Sequence, residues 1–139
     1  MVERAVSGSA LHVGHGRASA HYRAMDIASR VESADPHMLV AILYDELLTC
    51  IDIMAASARL DQPLRTNPHV HRARAIIVAL RSGLDFTRGG DTAMMLASVY
   101  AAVADELEAC VSSGNIDRIG ELHSAVESVS MAWRDIAAG

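Results

Sequence analysis

The chain has 139 residues, a formal net charge of −5, 51% apolar side chains and only 4% aromatic ones. That is one domain's worth of sequence. Its 12 basic residues are scattered, without a stripe interleaved with aromatics, so an acidic balance and this pattern exclude nucleic acid as a partner. A core drawn from Ala, Leu, Ile, Val and Met suits packed helices better than sheets, where β-branched and aromatic residues gather. The three prolines all fall in the first half, which leaves long stretches without a helix breaker.

In chain order, residues 1–17 read as a flexible tail, because Gly8, Gly14 and Gly16 with Ser and His give no sustained period. The opening MVERAVSGSALHVGHG lacks the basic start and apolar core of a secretory signal, so a cytoplasmic location is expected. Residues 18–31 suit a short helix or an extended arm, with Tyr22, Met25, Ile27 and Ala28 as its apolar members. A helical bundle domain is expected over 18–139.

The first main helix is expected to start at Asp35-Pro36, a capping carboxylate followed by the residue best suited to the first helical position, and to run to about Leu60. Asn67-Pro68 repeats that signal for a second helix, with Val70, Ala73, Ile77, Leu80 and Leu84 as its buried stripe. Gly89-Gly90 is expected to end that segment, and Asp91 to cap a third helix reaching about Ser113. After Gly114-Asn115 a fourth helix shows Ile119, Leu122, Val126, Val129, Trp133 and Ile136 at three- and four-residue steps. Four such helices joined by short polar turns define an all-α, antiparallel four-helix bundle with a short N-terminal helix or arm.

The helices are unevenly amphipathic. The second and fourth carry one apolar stripe each, whereas Met38 to Tyr44 and Ala93 to Ala104 contain no charged side chain. The second of these stretches is too short to span a bilayer, so no membrane insertion is expected. The surplus apolar surface implies either a groove for an amphipathic helix or a fifth helix, 18–31, that covers it. Met38, Met54, Met94 and Met95 are adaptable residues for such a groove, or plain core.

Residues suited to chemistry are sparse. Cys50 and Cys110 lie in apolar helical surroundings and read as small core residues. No Glu is followed by His three residues later, which removes the di-iron bundle pattern, and His69-x-His71 makes no convincing metal site. His123 sits on a helix without lysine nearby, so a histidine phosphotransfer bundle is a distant alternative. Asp45-Glu46 are adjacent and point in different directions, as solvated charges rather than a catalytic dyad. No catalytic residue, metal or cofactor is expected.

Several segments nevertheless have a recognisable order. Tyr22 stands fourteen residues before Pro36, in an Ala-Asp-Pro-His-Met-Leu run (34–39), and Ile42-Leu43-Tyr44-Asp45 follows. Ala75-Ile76-Ile77, Leu80 and Leu84-Asp85 come next, then Gly89-Gly90-Asp91 with Ala93, Leu96 and Tyr100, and finally Trp133. This pattern, over about residues 20–136, resembles the flagellin-specific export chaperones of the FliS type. The resemblance implies a cytoplasmic, non-catalytic protein that holds the C-terminal segment of flagellin as a helix, prevents premature polymerisation and keeps the subunit ready for the flagellar type III export apparatus. It also implies an N-terminal arm, carrying Tyr22, that lies near the groove and can move aside. Periodicity and resemblance together give Tyr22, Ile27, Leu39, Ile42, Tyr44, Asp45, Met94, Leu96 and Tyr100 as the expected partner-binding residues. A regulatory helical module that binds another flagellar or secretion protein is the alternative. The chain departs from the family at Glu46-Leu47, where small residues such as Gly-Ala are common, in its longer tail, and in the loop Asp61 to Thr66.

Overall fold

Four α-helices and no strand make up residues 35–138, the part of the chain that the computed structural model describes: α1 (Pro36–Arg59), α2 (Pro68–Ser82), α3 (Phe86–Ser113) and α4 (Ile116–Ala138). The expected tail and arm, with Tyr22 and Ile27, lie outside the described residues.

The chain divides into two compact units between Ile42 and Leu43. In the first, the Asp35 carboxylate accepts the amide of Met38 at 2.7 Å, which satisfies one of the free donors of the first turn of α1. Along that turn and the next, Met38 is exposed, Leu39 half-buried and Ile42 buried.

The second unit holds the rest of α1 and the other three helices. Asn67 caps α2 by accepting the His69 amide at 2.8 Å, with Pro68 at the first helical position. The side-chain amide of Asn67 donates back to Ser57 at 3.1 Å, so one residue both starts α2 and ties it to the end of α1. Asn115 caps α4 through the Arg118 amide at 3.0 Å. Gly114 ends α3 in the left-handed region (φ 63°), where a glycine carries no Cβ penalty.

The break between α2 and α3 falls earlier than the glycine pair suggests. α2 stops at Ser82, so Leu84 is not part of its stripe, and Asp85 rather than Asp91 caps α3 by accepting the amides of Thr87 and Arg88, each at 3.0 Å. A capping carboxylate outcompetes the breaker that follows it. Gly90 then kinks α3 at φ 51°, ψ −126° instead of ending it. At Gly89 a Cβ would stand 2.8 Å from the Cβ of Ala93, so the kink packs without room for a side chain there.

Ion pairs identify the neighbours around the bundle. Glu46 meets Arg72 (α1–α2, 3.0 Å), Arg74 meets Glu108 (α2–α3, 2.7 Å), Glu106 meets Arg118 (α3–α4, 2.6 Å) and Asp45 meets Arg134 (α1–α4, 2.5 Å). Asp52 and His123, 3.2 Å apart, make a second α1–α4 contact. Moving forward from Asp45 to Asp52 on α1 moves backward from Arg134 to His123 on α4, so the two helices are antiparallel. Glu46–Arg72 with Ser57–Asn67 gives the same result for α1 and α2. The expected antiparallel bundle is therefore the observed one, with α1 and α3 on one diagonal.

The core draws on all four helices. Ile51, Met54, Val70, Ala73, Cys110 and Ile119 have essentially no exposed surface, and Cys50 and Cys110 are buried and form no disulfide among the described residues. Burial, with the Glu106 carboxylate nearby, pushes the Cys110 thiol up to about 11, which keeps it protonated at neutral pH. Met54, offered by its position as a groove residue, is plain core. Asp45 and Glu46 do point apart, yet neither is simply solvated: each holds an arginine of a different helix, and Glu46 is buried. That is what the unusual Glu46-Leu47 pair does here, since Leu47 faces the core and Glu46 clamps α2.

Candidate partner-binding seam

Tyr44 of α1 and Tyr100 of α3 meet across the diagonal, hydroxyl to hydroxyl at 2.5 Å, with both side chains buried. Burial raises both phenols above the ordinary tyrosine range, and the shared hydrogen bond reinforces this for Tyr44. The pair is thus neutral at any physiological pH and serves as a polar pin inside an apolar core. Trp133 of α4 stands edge-on to Tyr44, with ring centroids 6.3 Å apart and planes at 81°. One residue further along each helix, Asp45 and Arg134 close the same α1–α4 contact from outside.

Trp133 is only half-buried, and Ile136 is 61% exposed, so the apolar stripe of α4 is not covered along its whole length. Ile119, Leu122 and Val126 are buried, Val129 is intermediate, and coverage fails toward the C-terminal end. The single apolar stripe expected on this helix is therefore only partly covered.

The helical period shows what lies on the α3–α4 seam. On α3, Val99 and Met95 share a face with Glu106, which reaches Arg118 of α4. On α4, Ala125, Val129, Ala132 and Ile136 share a face with Arg118. Beyond the Glu106–Arg118 bridge, and Glu121 one turn further on, whose charge acts on both Arg118 and Cys110, the seam carries no charge for about two turns, roughly 10 Å. Met95 is 60% exposed, and Val99 and Val129 are half-buried. Beneath them a small recess is lined only by apolar or aromatic side chains, among them Tyr44, Leu80, Tyr100, Val103 and Val126. Such a strip, with thioether and branched residues at its rim and a pinned aromatic floor, presents the surface that an amphipathic helix buries.

Of the residues expected from sequence, the structure brings Tyr44 and Tyr100 together and sets Asp45 beside them through Arg134. Leu96 is buried in the core directly below the seam, and Met94 is 62% exposed but shares its face with Glu108, toward α2. Leu39 and Ile42 belong to the first unit. Sequence reasoning passed over Val99, Val129 and Ile136 as seam residues and gave Met95 no distinct role. What separates Met95 from Met94 is which neighbour Glu106 and Glu108 choose, and composition does not encode that.

Among the described residues no group of His, Cys, Asp and Glu is placed to hold a metal ion, and no helix is long and apolar enough to cross a membrane.

The fold and the seam define an all-α bundle protein with a pinned core and an open apolar strip. The comparisons agree on the family. The family described as Flagellar protein FliS matches residues 18–139, and the chain belongs to it. The flagellar secretion chaperone FliS of Campylobacter jejuni is 27% identical over 101 residues, covering 73% of this chain and 79% of that protein. Flagellar secretion chaperone FliSB of Pseudomonas aeruginosa is 25% identical over 121 residues, covering 87% and 96%.

Proposed function

We propose that this protein is a cytoplasmic flagellar export chaperone that holds the C-terminal segment of flagellin as a helix on the α3–α4 seam and performs no chemistry. The observation that carries the reading is the charge-free strip from Val99 and Val129 to Met95 and Ile136, open on a bundle that is otherwise laced by ion pairs. Membership of the FliS family, and relatives named as flagellar secretion chaperones, support the choice of client and of export apparatus. The family match beginning at residue 18 supports a division into a tail, 1–17, and a chaperone domain, 18–139. Tyr22, Ile27, Leu39 and Ile42 remain partner-binding residues in this reading on the resemblance alone.

The physics suits a reversible holder. A disordered client loses entropy when it folds on the bundle, so a large apolar contact yields moderate affinity and allows release at export. The polar groups that looked most like catalytic candidates are engaged in joining helices: Asp45 to Arg134, Glu46 to Arg72 and His123 to Asp52. The test is calorimetric titration of the full chain with the C-terminal segment of flagellin from the same organism. Saturable one-to-one binding with a negative heat-capacity change is expected. A folded protein that ignores this segment would overturn the client assignment.

A further inference from the structure

Arginines are concentrated in the segment that leads into and forms α2. Between residues 59 and 82 five arginines stand against a single acid, Asp61, a net charge of +4; from 83 to 139 three arginines stand against nine acids, a net charge of −6. α2 itself has no acidic residue, only His69, His71, Arg72, Arg74 and Arg81.

Its buried stripe of Val70, Ala73, Ile76, Ile77 and Leu80 fixes the opposite face as His71, Ala75, Val78 and Ser82, all of them exposed. Val78, at 61% exposure, is the apolar centre of that face. Arg72 flanks it on the α1 side and Arg74 with Arg81 on the α3 side. Although Arg72 and Arg74 hold Glu46 and Glu108, their side chains remain 50% and 36% exposed. Arg81 is exposed and makes no ion pair among the described residues.

We propose that this face of α2 is a docking site for an acidic amphipathic helix of another protein, distinct from the α3–α4 seam and independent of what that seam binds. The chain has no lysine, so every cation offered here is a guanidinium, whose planar fork pairs with carboxylates in two-point geometry. An apolar centre with the fork of Arg81 on one side, and the exposed edges of Arg72 and Arg74 beside the carboxylates they already hold, fits a helix with a narrow apolar stripe bordered by Glu or Asp. A nucleic acid would meet the negative charge of α3 and α4 and would leave Val78 without a counterpart. Charge complementarity of this kind sets partner choice and encounter rate more than affinity, as befits a transient dock.

The test uses the full chain and a labelled synthetic helix with Leu at three- and four-residue spacing flanked by Glu, followed by fluorescence anisotropy. Saturable binding is expected at low salt, weakening several-fold at about 0.3 M salt. Arg81→Glu and Val78→Asp, both at exposed positions away from the helix-joining bridges, should each weaken it by roughly tenfold with an unchanged circular dichroism spectrum. The same peptide with Lys in place of Glu should not bind, and Met95→Asp should leave binding intact. Equal affinity of wild type and Arg81→Glu overturns the proposal. So does loss of binding in Met95→Asp, which would move the peptide to the seam, or retention of anionic vesicles or duplex DNA in place of the peptide.

Discussion

The Tyr44 and Tyr100 hydroxyls, 56 positions apart in sequence, lie 2.5 Å from each other on the diagonal of the bundle. Two buried phenols that satisfy one another leave no orphaned polar group, and the bond fixes the depth at which α1 and α3 sit beneath the seam. Tyr44→Phe should therefore cost about 1–3 kcal/mol, because it strands the Tyr100 hydroxyl in an apolar setting. Replacing both by Phe should cost less than the two single changes added together. Urea unfolding of the three variants checks this, and strictly additive losses would mean that the two hydroxyls do not depend on each other.

Trp133 is the residue for which sequence and structure differ in magnitude. A fully buried tryptophan loses roughly 3–5 kcal/mol on truncation to Ala. Half-buried and touching Tyr44 only edge-on, Trp133 should lose about 1–3 kcal/mol instead, with an emission maximum red of that of a buried indole. Thermal unfolding of Trp133→Ala and the emission spectrum of wild type test the two halves of that statement. Binding of a helix on the seam should shift the emission to the blue.

Why the fold was legible and the site only partly so follows from these residues. Three- and four-residue spacing, Asp35-Pro36 and Asn67-Pro68 are local signals, and local signals place helices. The misplaced start of α3 was also a local competition: Asp85 and Gly89-Gly90 both punctuate, and the sequence does not rank them. Exposure at the end of α4 is different in kind. Val126 and Trp133 occupy equivalent steps of one stripe, seven residues apart, yet the first is buried and the second only half-buried, because coverage depends on what surrounds the stripe at that level. Surplus apolar surface on helix three thus implies the seam, while the single stripe of helix four gives no sign of the seam's other wall.

The bridges between α2, α3 and α4 carry a pH signature. Arg118 holds the Glu106 carboxyl, and Arg74 the Glu108 carboxyl, below their ordinary value of 4.5. A lowered folded pKa means that the stabilisation is complete above the unfolded value and fades as pH falls from there through the folded one. Wild type should lose stability on acidification below about pH 4.5 more steeply than Arg74→Ala combined with Arg118→Ala. At pH 7 the double variant should be only slightly weaker, since both pairs are exposed to solvent. Parallel pH profiles of the two proteins in chemical unfolding would show that these pairs do not couple to protonation.

The seam makes the sharpest functional prediction, because its rim residues hold no part of the fold. Met95 and Ile136 are 60% and 61% exposed, so Met95→Asp and Ile136→Asp should change stability by no more than about 0.5 kcal/mol. Each places a carboxylate on a strip that has no charge beyond Arg118 and Glu121, and a helix docked there would have to bury it. A loss of roughly 1.5–3 kcal/mol of apolar burial per residue corresponds to at least tenfold weaker affinity for the flagellin segment. Met94→Asp is the control: equally exposed one position away, it lies toward α2 and should weaken binding far less. Titration of the three variants beside wild type decides between the seam and the α2-facing side of α3. Equal losses at Met94 and Met95 would mean that the client straddles α3 rather than lying between α3 and α4.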